Sequence, residues 1–245
     1  DIAAIINIKM THEERYESFK KYKEAKLRIV KNLKRSGKIF IDDENKIDVI
    51  GDVVAYDSEE LILKNFTNLN LDNWKLPGKH NLLNLSLCVS MAHELGVSRK
   101  DIQRAIDTFR GVEHRIEYIG KVNNTLFYND SKSTNIYSSK TAIDCFPGKN
   151  ILLMLGGSIR SRDSLNIVEV ETILNSVKKA VVFGDLARLK NFELHESAHK
   201  LRELDLPNIV EDDIDIVLFS PGFPSFDEFN NYRDRGEFFK KIVLR

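Results

Sequence analysis

The chain has 245 residues, 42% of them hydrophobic, and its 37 basic and 37 acidic residues give a formal net charge of zero. This balance argues against a nucleic-acid binder, which usually carries a clear basic excess. No stretch approaches the roughly 18 continuous apolar residues of a membrane-spanning helix. Two cysteines without metal-ligand spacing, Cys88 and Cys145, are typical of a reduced, cytoplasmic compartment.

The first 112 residues mix strand patterns with helix patterns. A continuous apolar run over residues 2–8 predicts a strand that is buried on both faces. This run opens the chain without an initiator Met, so we expect a fragment or a processed form. Amphipathic periodicity predicts helices over residues 13–34 and 80–95, the second ending at Gly96, and Ser98 is a candidate N-cap for a third. Short strands are predicted over residues 38–41, 53–56 and 61–66.

From residue 113 onwards, strands alternate with helices, which predicts βαβ units and a mostly parallel sheet. The pattern changes around residues 112–116, and we place a domain boundary there. The predicted strands cover residues 116–122, 125–129, 151–155, 180–183 and 214–219, and helices are expected from about Asn135, Val168, Ala187 and Phe226. Both regions are therefore predicted to be of the α/β class.

Polar or glycine-rich loops follow three of these predicted strands. They are Asn129-Asp-Ser-Lys-Ser-Thr-Asn135, Gly156-Gly-Ser-Ile-Arg160 and Ser220-Pro-Gly-Phe-Pro-Ser225. In an open parallel sheet, ligands bind at the edge formed by the carboxyl ends of the strands. Helix N-termini at that edge favour phosphate or carboxylate. We therefore expect an anion-binding site there.

The loop of residues 129–135 is the most informative of the three, because seven consecutive polar residues separate a strand from a helix. Lys132 is a candidate anion ligand, and Asp130 could bind a metal or orient a phosphate. Arg160 and Lys132 together would suit a dicarboxylate, since a guanidinium fork grips a carboxylate well. Taken alone, Gly-Gly and Ser-Pro-Gly are equally typical of ordinary turns, so spacing leaves the purpose of the site open.

Two further clusters have both a structural and a functional interpretation. Asn81 and Asn84 lie one helical turn apart, where they could read a purine edge or could serve only as a cap and an exposed polar residue. The run Glu113-His114-Arg115 predicts either a linker salt bridge or a hinge that touches ligand. His12 and Lys26 indicate no function by themselves.

Several motifs follow one another in a fixed order along the chain. They are Gly78-Lys-His-Asn-Leu-Leu-Asn84, His114-Arg-x-Glu117, Asn129-Asp-Ser-Lys-x-Thr-Asn135, Leu155-Gly-Gly157, and Ser220-Pro-x-x-x-Ser-x-Asp-x-Phe229 followed by Arg235-Gly236. In this order they resemble the Mur ligase family, and its D-glutamate-adding branch matches best. Tyr22-x-x-Ala-Lys26, with His12 upstream, is similar to the family segment that ends in a carbamylated lysine.

The resemblance implies two domains of a three-domain enzyme. Residues 1–112 would form the C-terminal half of the central ATPase domain, a mixed sheet with helices. Residues 113–245 would form the Rossmann-like domain that receives the amino acid. The UDP-binding domain and the glycine-rich phosphate loop would lie upstream of Asp1, because no such loop occurs in this sequence. We therefore expect this chain to be inactive alone.

The implied reaction is ATP-driven amide formation in peptidoglycan synthesis, in which D-glutamate is added to UDP-N-acetylmuramoyl-L-alanine through an acyl phosphate. The implied enzyme is cytoplasmic and monomeric and uses ATP and Mg²⁺. By resemblance, its residues divide into a catalytic group (Lys26, Asp130, Lys132 and His114), a nucleotide-binding group (Asn81, Asn84, Arg115 and Asp130), an amino-acid-binding group (Lys132, Thr134, Arg160, Ser225, Phe226 and Tyr232) and the Mg²⁺ ligands His12 and Lys26, the latter as a carbamate.

The sequence departs from the family pattern at two of these places. Arg160 stands where the D-glutamate ligases typically have lysine, and Thr11 stands before His12 where the family usually has Asp. Three other interpretations stay open: another Mur ligase, a folylpolyglutamate synthase, and a truncated homologue that binds without catalysing.

Overall fold

The computed structural model describes residues 1–6, 8, 16–31, 33–34, 36–42, 52–56, 68–159, 165–189 and 196–244. The chain divides into two compact units, the first formed by residues 1–74 and 79–109 and the second by residues 75–78 and 110–245. Across the described ranges, no helix combines the length and the apolar character that crossing a membrane requires.

The first unit contains a parallel sheet with its described strands in the order β1 (Ile2–Ile5), β2 (Lys38–Asp42) and β3 (Asp52–Tyr56). Its helices are α1 (Phe19–Leu27), which continues as a 3-10 turn over Arg28–Val30, α2 (Lys79–Glu94) and α3 (Arg99–Thr108). Ile39 and Ile41 pack with Tyr22 of α1, whereas Phe40 packs with Leu87 of α2. The middle strand is therefore buried on both faces.

The helix ends predicted at Gly96 and Ser98 are confirmed, whereas the helix predicted over residues 13–34 is shorter and covers Phe19–Val30. Gly96 adopts a φ of 74° just after α2, a conformation that favours glycine. Ser98 precedes α3, and its Oγ accepts a hydrogen bond from the Asp101 amide at 3.2 Å. The first strand ends at Ile5, before the predicted residue 8, and the predicted strand over residues 61–66 lies outside the described residues.

The second unit is built on a six-stranded sheet in the order β4-β5-β9-β6-β7-β8. The strands are β4 (Glu117–Val122), β5 (Thr125–Asn129), β6 (Ile151–Gly157), β7 (Lys179–Gly184), β8 (Glu196–Ala198) and β9 (Ile216–Gly222). Only the β4–β5 pair of this sheet is antiparallel, so the prediction of a mostly parallel sheet is confirmed. The helices are α4 (Ile136–Ile143), α5 (Ile167–Leu174), α6 (Leu206–Ile209) and α7 (Tyr232–Val243).

Helices cover both faces of this sheet, so β6 and β9 are buried along their whole length. Side chains alternate along a strand, so Leu153 and Leu218 pack towards α4 and α5. Met154 and Phe219 point to the opposite face and pack with Phe239 of α7. This three-layer arrangement explains why these strands read as unbroken apolar runs.

Two predicted helices differ from the structure. A single turn occupies residues 226–228, and the helix expected there begins only at Tyr232, where the Asn231 side chain accepts from the amides of Arg233 and Asp234. The helix expected from Ala187 is a three-residue 3-10 turn. The short elements β8 and α6 were not predicted, because three or four residues carry no readable periodicity.

Candidate functional site

The carboxyl ends of three neighbouring strands form the candidate site. Strands β5, β9 and β6 are adjacent in the sheet, so the loops that follow them lie side by side at the edge where the sequence predicts an anion site. The loops are also bonded to each other: the Gly222 amide donates to the Ser133 carbonyl at 3.1 Å, and the Ser158 amide donates to the Pro224 carbonyl at 2.8 Å. The three loops therefore form one surface.

His114 lies in a buried polar network beneath this surface. The Asn129 Nδ2 atom is 2.9 Å from His114 Nδ1 and donates to Glu117 Oε2 at 3.1 Å. Because a carboxylate only accepts, the Asn129 amide nitrogen faces this side, and His114 Nδ1 must accept its hydrogen bond. A Cβ atom on Gly236 would lie 2.3 Å from His114 Nδ1, so this close approach needs glycine.

The backbone beside His114 adopts an uncommon conformation. His114 has a φ of 65° and Ile116 a φ of 46°, a region that β-branched residues rarely enter. Hydrogen bonds to the loop of residues 129–135 hold this segment: the Lys132 amide donates to the His114 carbonyl at 3.0 Å, and the Ile116 amide donates to Asp130 Oδ1 at 3.2 Å. The predicted His-Arg-x-Glu element and the loop after β5 are thus physically coupled.

Asp130 is a buried carboxyl group at the centre of the site. Its Oδ2 accepts from Ser220 Oγ at 2.8 Å, and its side chain is almost inaccessible to solvent. Burial raises the pKa of Asp130 to about 7, although hydrogen bonds from Ser220 and Ile116 and the charge of Arg115 act in the opposite direction. This carboxyl group therefore changes its charge near neutral pH.

The raised pKa of Asp130 predicts how stability depends on pH. The folded state binds this proton between the ordinary pKa of 3.8 and about 7, so Asp130 lowers the free energy of unfolding as pH rises through that window. We expect Asp130→Asn, which cannot ionise, to gain stability relative to the native chain by about 2–4 kcal/mol from pH 4 to pH 7. Urea unfolding at several pH values measures this difference, and a pH-independent difference would contradict the assignment.

Lys132 and Tyr232, both half-buried, form the cationic part of the site with the exposed Arg233. The Lys132 Nζ atom lies 4.1 Å from the centre of the Tyr232 ring, and Arg233 Nε lies 3.4 Å from the Tyr232 hydroxyl. The bond from Arg233 and the charges of Lys132, Arg233 and Arg115 lower the pKa of Tyr232. Two cations, Lys132 and Arg233, therefore lie against one aromatic ring, which makes this edge suitable for an anionic ligand.

The other predicted amino-acid-binding residues vary in exposure. Ser225 is buried, Phe226 is 64% exposed and Thr134 is exposed. Arg160 and His12 lie outside the described residues. Sequence reasoning missed Arg233, since a single arginine at the start of a helix carries no signal of its own.

The remaining predicted residues belong to the first unit. Lys26 is exposed in the last turn of α1, with its Nζ 5.2 Å from the centre of the Tyr22 ring. Asn81 and Asn84 are half-buried on the first turns of α2. Burial lowers the pKa of their neighbour His80.

A group of possible metal ligands lies on α7 and at the start of the second unit. Ligand atoms of Glu113, His114 and Glu237 lie within 4.8 Å of one another. The Lys240 ammonium already contacts both carboxylates, at 3.1 Å from Glu113 and 2.9 Å from Glu237, and it also contacts Glu117 at 3.0 Å. These residues therefore form an ion-pair network centred on Lys240.

Comparison with solved structures defines the class of fold. The chain superposes on MurF from Acinetobacter baumannii with a TM-score of 0.70 and 17% identity, covering 100% of this chain and 60% of that one. It also matches MurF from Thermotoga maritima in complex with ADP (TM-score 0.63, 17% identity, 99% of this chain and 62% of that one). A bifunctional folylpolyglutamate synthase/dihydrofolate synthase from Yersinia pestis, complexed with AMPPNP and a Mn ion, gives a TM-score of 0.63 at 14% identity, covering 93% of this chain and 59% of that one. The chain has the fold of the Mur ligases.

Sequence comparison identifies the relatives more narrowly. The chain is 33% identical to the UDP-N-acetylmuramoylalanine--D-glutamate ligase of Francisella tularensis subsp. novicida, over 100% of this chain and 60% of that protein. It is 28% identical to the ligase of the same name from Aquifex aeolicus, over 99% of this chain and 62% of that protein. Models of known protein families give no match. The predicted resemblance to the D-glutamate-adding Mur ligases is therefore confirmed, and the chain spans about 60% of the length of these curated relatives.

Proposed function

We propose that this chain is part of an ATP-dependent ligase that joins D-glutamate to UDP-N-acetylmuramoyl-L-alanine in peptidoglycan synthesis. The observation that carries the proposal is the loop of residues 129–135, which presents Lys132 beside Tyr232 at the edge formed by β5, β9 and β6. Similarity over the whole of this chain, and about 60% of each relative, to ligases named for this reaction supports the choice of substrate. The activity is proposed for the whole protein.

The cations at the edge suit an amino acid with two carboxylates. Lys132 contributes a charge directly above an aromatic face. In the proposal, D-glutamate is held by Lys132, Thr134, Arg160, Ser225, Phe226 and Tyr232. His114 lies beneath the loop of residues 129–135 and supports it. Holding the amine close to the reacting carboxyl group replaces a bimolecular encounter with a positioned one.

The proposal also includes ATP and a divalent metal ion. Asn81 and Asn84 fit a nucleotide base because two half-buried amides on one helical face offer both donors and acceptors. In the second unit, we propose Arg115 and Asp130 as residues that contact the nucleotide. Lys26 is exposed, so its amine is accessible for conversion to a carbamate, which with His12 would give Mg²⁺ the oxygen and nitrogen ligands of the proposed site. The bound metal would neutralise charge on the reacting phosphates.

Amino-acid binding separates this proposal from its alternatives. In calorimetry with the whole protein and ATP, we expect D-glutamate to bind, and L-alanine and meso-diaminopimelate to give no heat at the same concentrations. Binding of L-alanine or meso-diaminopimelate would favour another Mur ligase. Binding of L-glutamate in preference to D-glutamate would favour a folylpolyglutamate synthase, whose fold the chain shares.

A further inference from the structure

Arg235 is the largest side chain that is completely buried in the described part of the protein. It lies on α7, and all its hydrogen bonds end on the site loops. Its Nε donates to Ser131 Oγ at 3.2 Å, its Nη2 donates to the Ser131 carbonyl at 2.9 Å, and its Nη1 donates to the Phe223 carbonyl at 2.9 Å. One guanidinium group therefore joins the loop after β5 to the loop after β9.

The charge of this guanidinium is poorly compensated. Burial lowers the pKa of Arg235 to about 10, with only a partial opposing contribution from Asp227. Among the described residues, no carboxylate lies within ion-pairing distance of it. A buried charge without a paired partner is costly. What offsets this cost is the set of three hydrogen bonds to the two loops, so the contribution of Arg235 depends on the geometry of those loops.

The shape of the guanidinium suits that geometric role. It is planar and offers five donors in a fixed fork, whereas a lysine ammonium is a single flexible point of charge. The third loop also makes room for it: a Cβ atom on Gly157 would lie 2.9 Å from Arg235 Nη1. Ser131 Oγ donates in turn to the Tyr232 carbonyl at 2.7 Å, so the network reaches the ring that lies under Lys132.

We propose that Arg235 is a positioning residue for the amino-acid acceptor. It fixes the separation between the loop that carries Lys132 and the loop that carries Ser225, and it does not touch substrate itself. This inference rests on the proposed function, in which these two loops hold D-glutamate. It predicts that loss of the fork affects binding of the amino acid more than binding of the nucleotide, to which the same loop contributes only Asp130.

Steady-state kinetics of the whole protein tests this with Arg235→Lys, which keeps the charge and loses the fork. We expect the KM for D-glutamate to rise and kcat/KM to fall on the order of 10²-fold, as expected for a small misplacement of catalytic groups, with a smaller change in the KM for ATP. Ser131→Ala removes one acceptor and should shift the KM in the same direction by less. The control is Phe239→Leu, which perturbs the core one turn along α7 without touching either loop.

A purely structural Arg235 would give a different pattern. It would lower the active fraction, as Phe239→Leu does, with both KM values unchanged, and that outcome would overturn the inference. Hydrogen exchange gives a second readout that does not depend on the substrate. In Arg235→Lys, peptides covering residues 130–136 and 220–226 should exchange at least about 10-fold faster, with the rest of the sheet unchanged. Uniform exchange changes would also overturn it.

Failure of the proposed function can be distinguished from failure of the inference about Arg235. If the native whole protein does not use D-glutamate, the proposed function fails, and the exchange measurement still decides the role of Arg235. If the native protein uses D-glutamate and Arg235→Lys does so with an unchanged KM, the inference about Arg235 fails alone.

Discussion

Gly156→Ala is expected to destabilise the second unit by about 3–5 kcal/mol. A Cβ atom at this position would lie 2.1 Å from the Phe183 carbonyl oxygen and 2.8 Å from the Phe183 nitrogen. These are backbone atoms of β7, paired in register with β6, so they cannot move aside as a side chain would. Gly156 also has a φ of 152°, which strains any residue with a side chain. Urea unfolding of the native and variant chains measures the loss.

Gly120→Ala is the matched control for this prediction. Gly120 lies in β4 of the same sheet, and a Cβ atom there would meet nothing within 4 Å. We expect its free energy of unfolding to change by less than about 1 kcal/mol, because alanine in an open strand position costs nothing sterically. Equal losses in the two variants would contradict the close approach of β6 and β7 at Gly156.

Lys132→Met is expected to lower kcat/KM for ligation of D-glutamate by the whole protein on the order of 10²–10³-fold, the usual effect of removing one preorganised charge from an active site. The Lys132 ammonium lies over the Tyr232 ring beside Arg233, and methionine keeps the length of the side chain while removing the charge. The measurement is the initial rate of phosphate release at varied D-glutamate.

Lys121→Met is the control for the charge itself. Lys121 is an exposed lysine on β4, away from the carboxyl ends of β5, β9 and β6. This variant should leave the kinetics unchanged. If Lys132→Met also retained the native kcat/KM, Lys132 could not be part of the acceptor site.

The parts of the fold that the sequence predicts best are those where one physical signal dominates. The apolar runs of β6 and β9 leave few interpretations, because both faces of those strands are buried. The polar loops after β5, β6 and β9 are predicted together with these strands, because they begin where the apolar runs end. The general rule for parallel sheets predicts that the three strand ends share one edge, whereas their adjacency depends on the strand order, which the structure supplies.

The parts that the sequence does not predict depend on contacts between distant residues. A helix near Phe226 is suggested by local pattern, and one turn does close there, with the Phe229 amide donating to the Ser225 carbonyl at 2.9 Å. The continuous helix starts only at the Asn231 cap. Arg235 carries no local sign of burial, since arginine is mostly exposed in proteins. Its burial depends on contacts with the loops after β5 and β9, which are distant from it in the sequence.

The most direct test of the central claim is product formation by the whole protein with UDP-N-acetylmuramoyl-L-alanine, ATP, Mg²⁺ and radiolabelled D-glutamate. We predict an ATP-dependent product that contains the label, with one phosphate released for each glutamate joined. Absence of labelled product, together with turnover of L-alanine, meso-diaminopimelate or L-glutamate under the same conditions, would contradict the account.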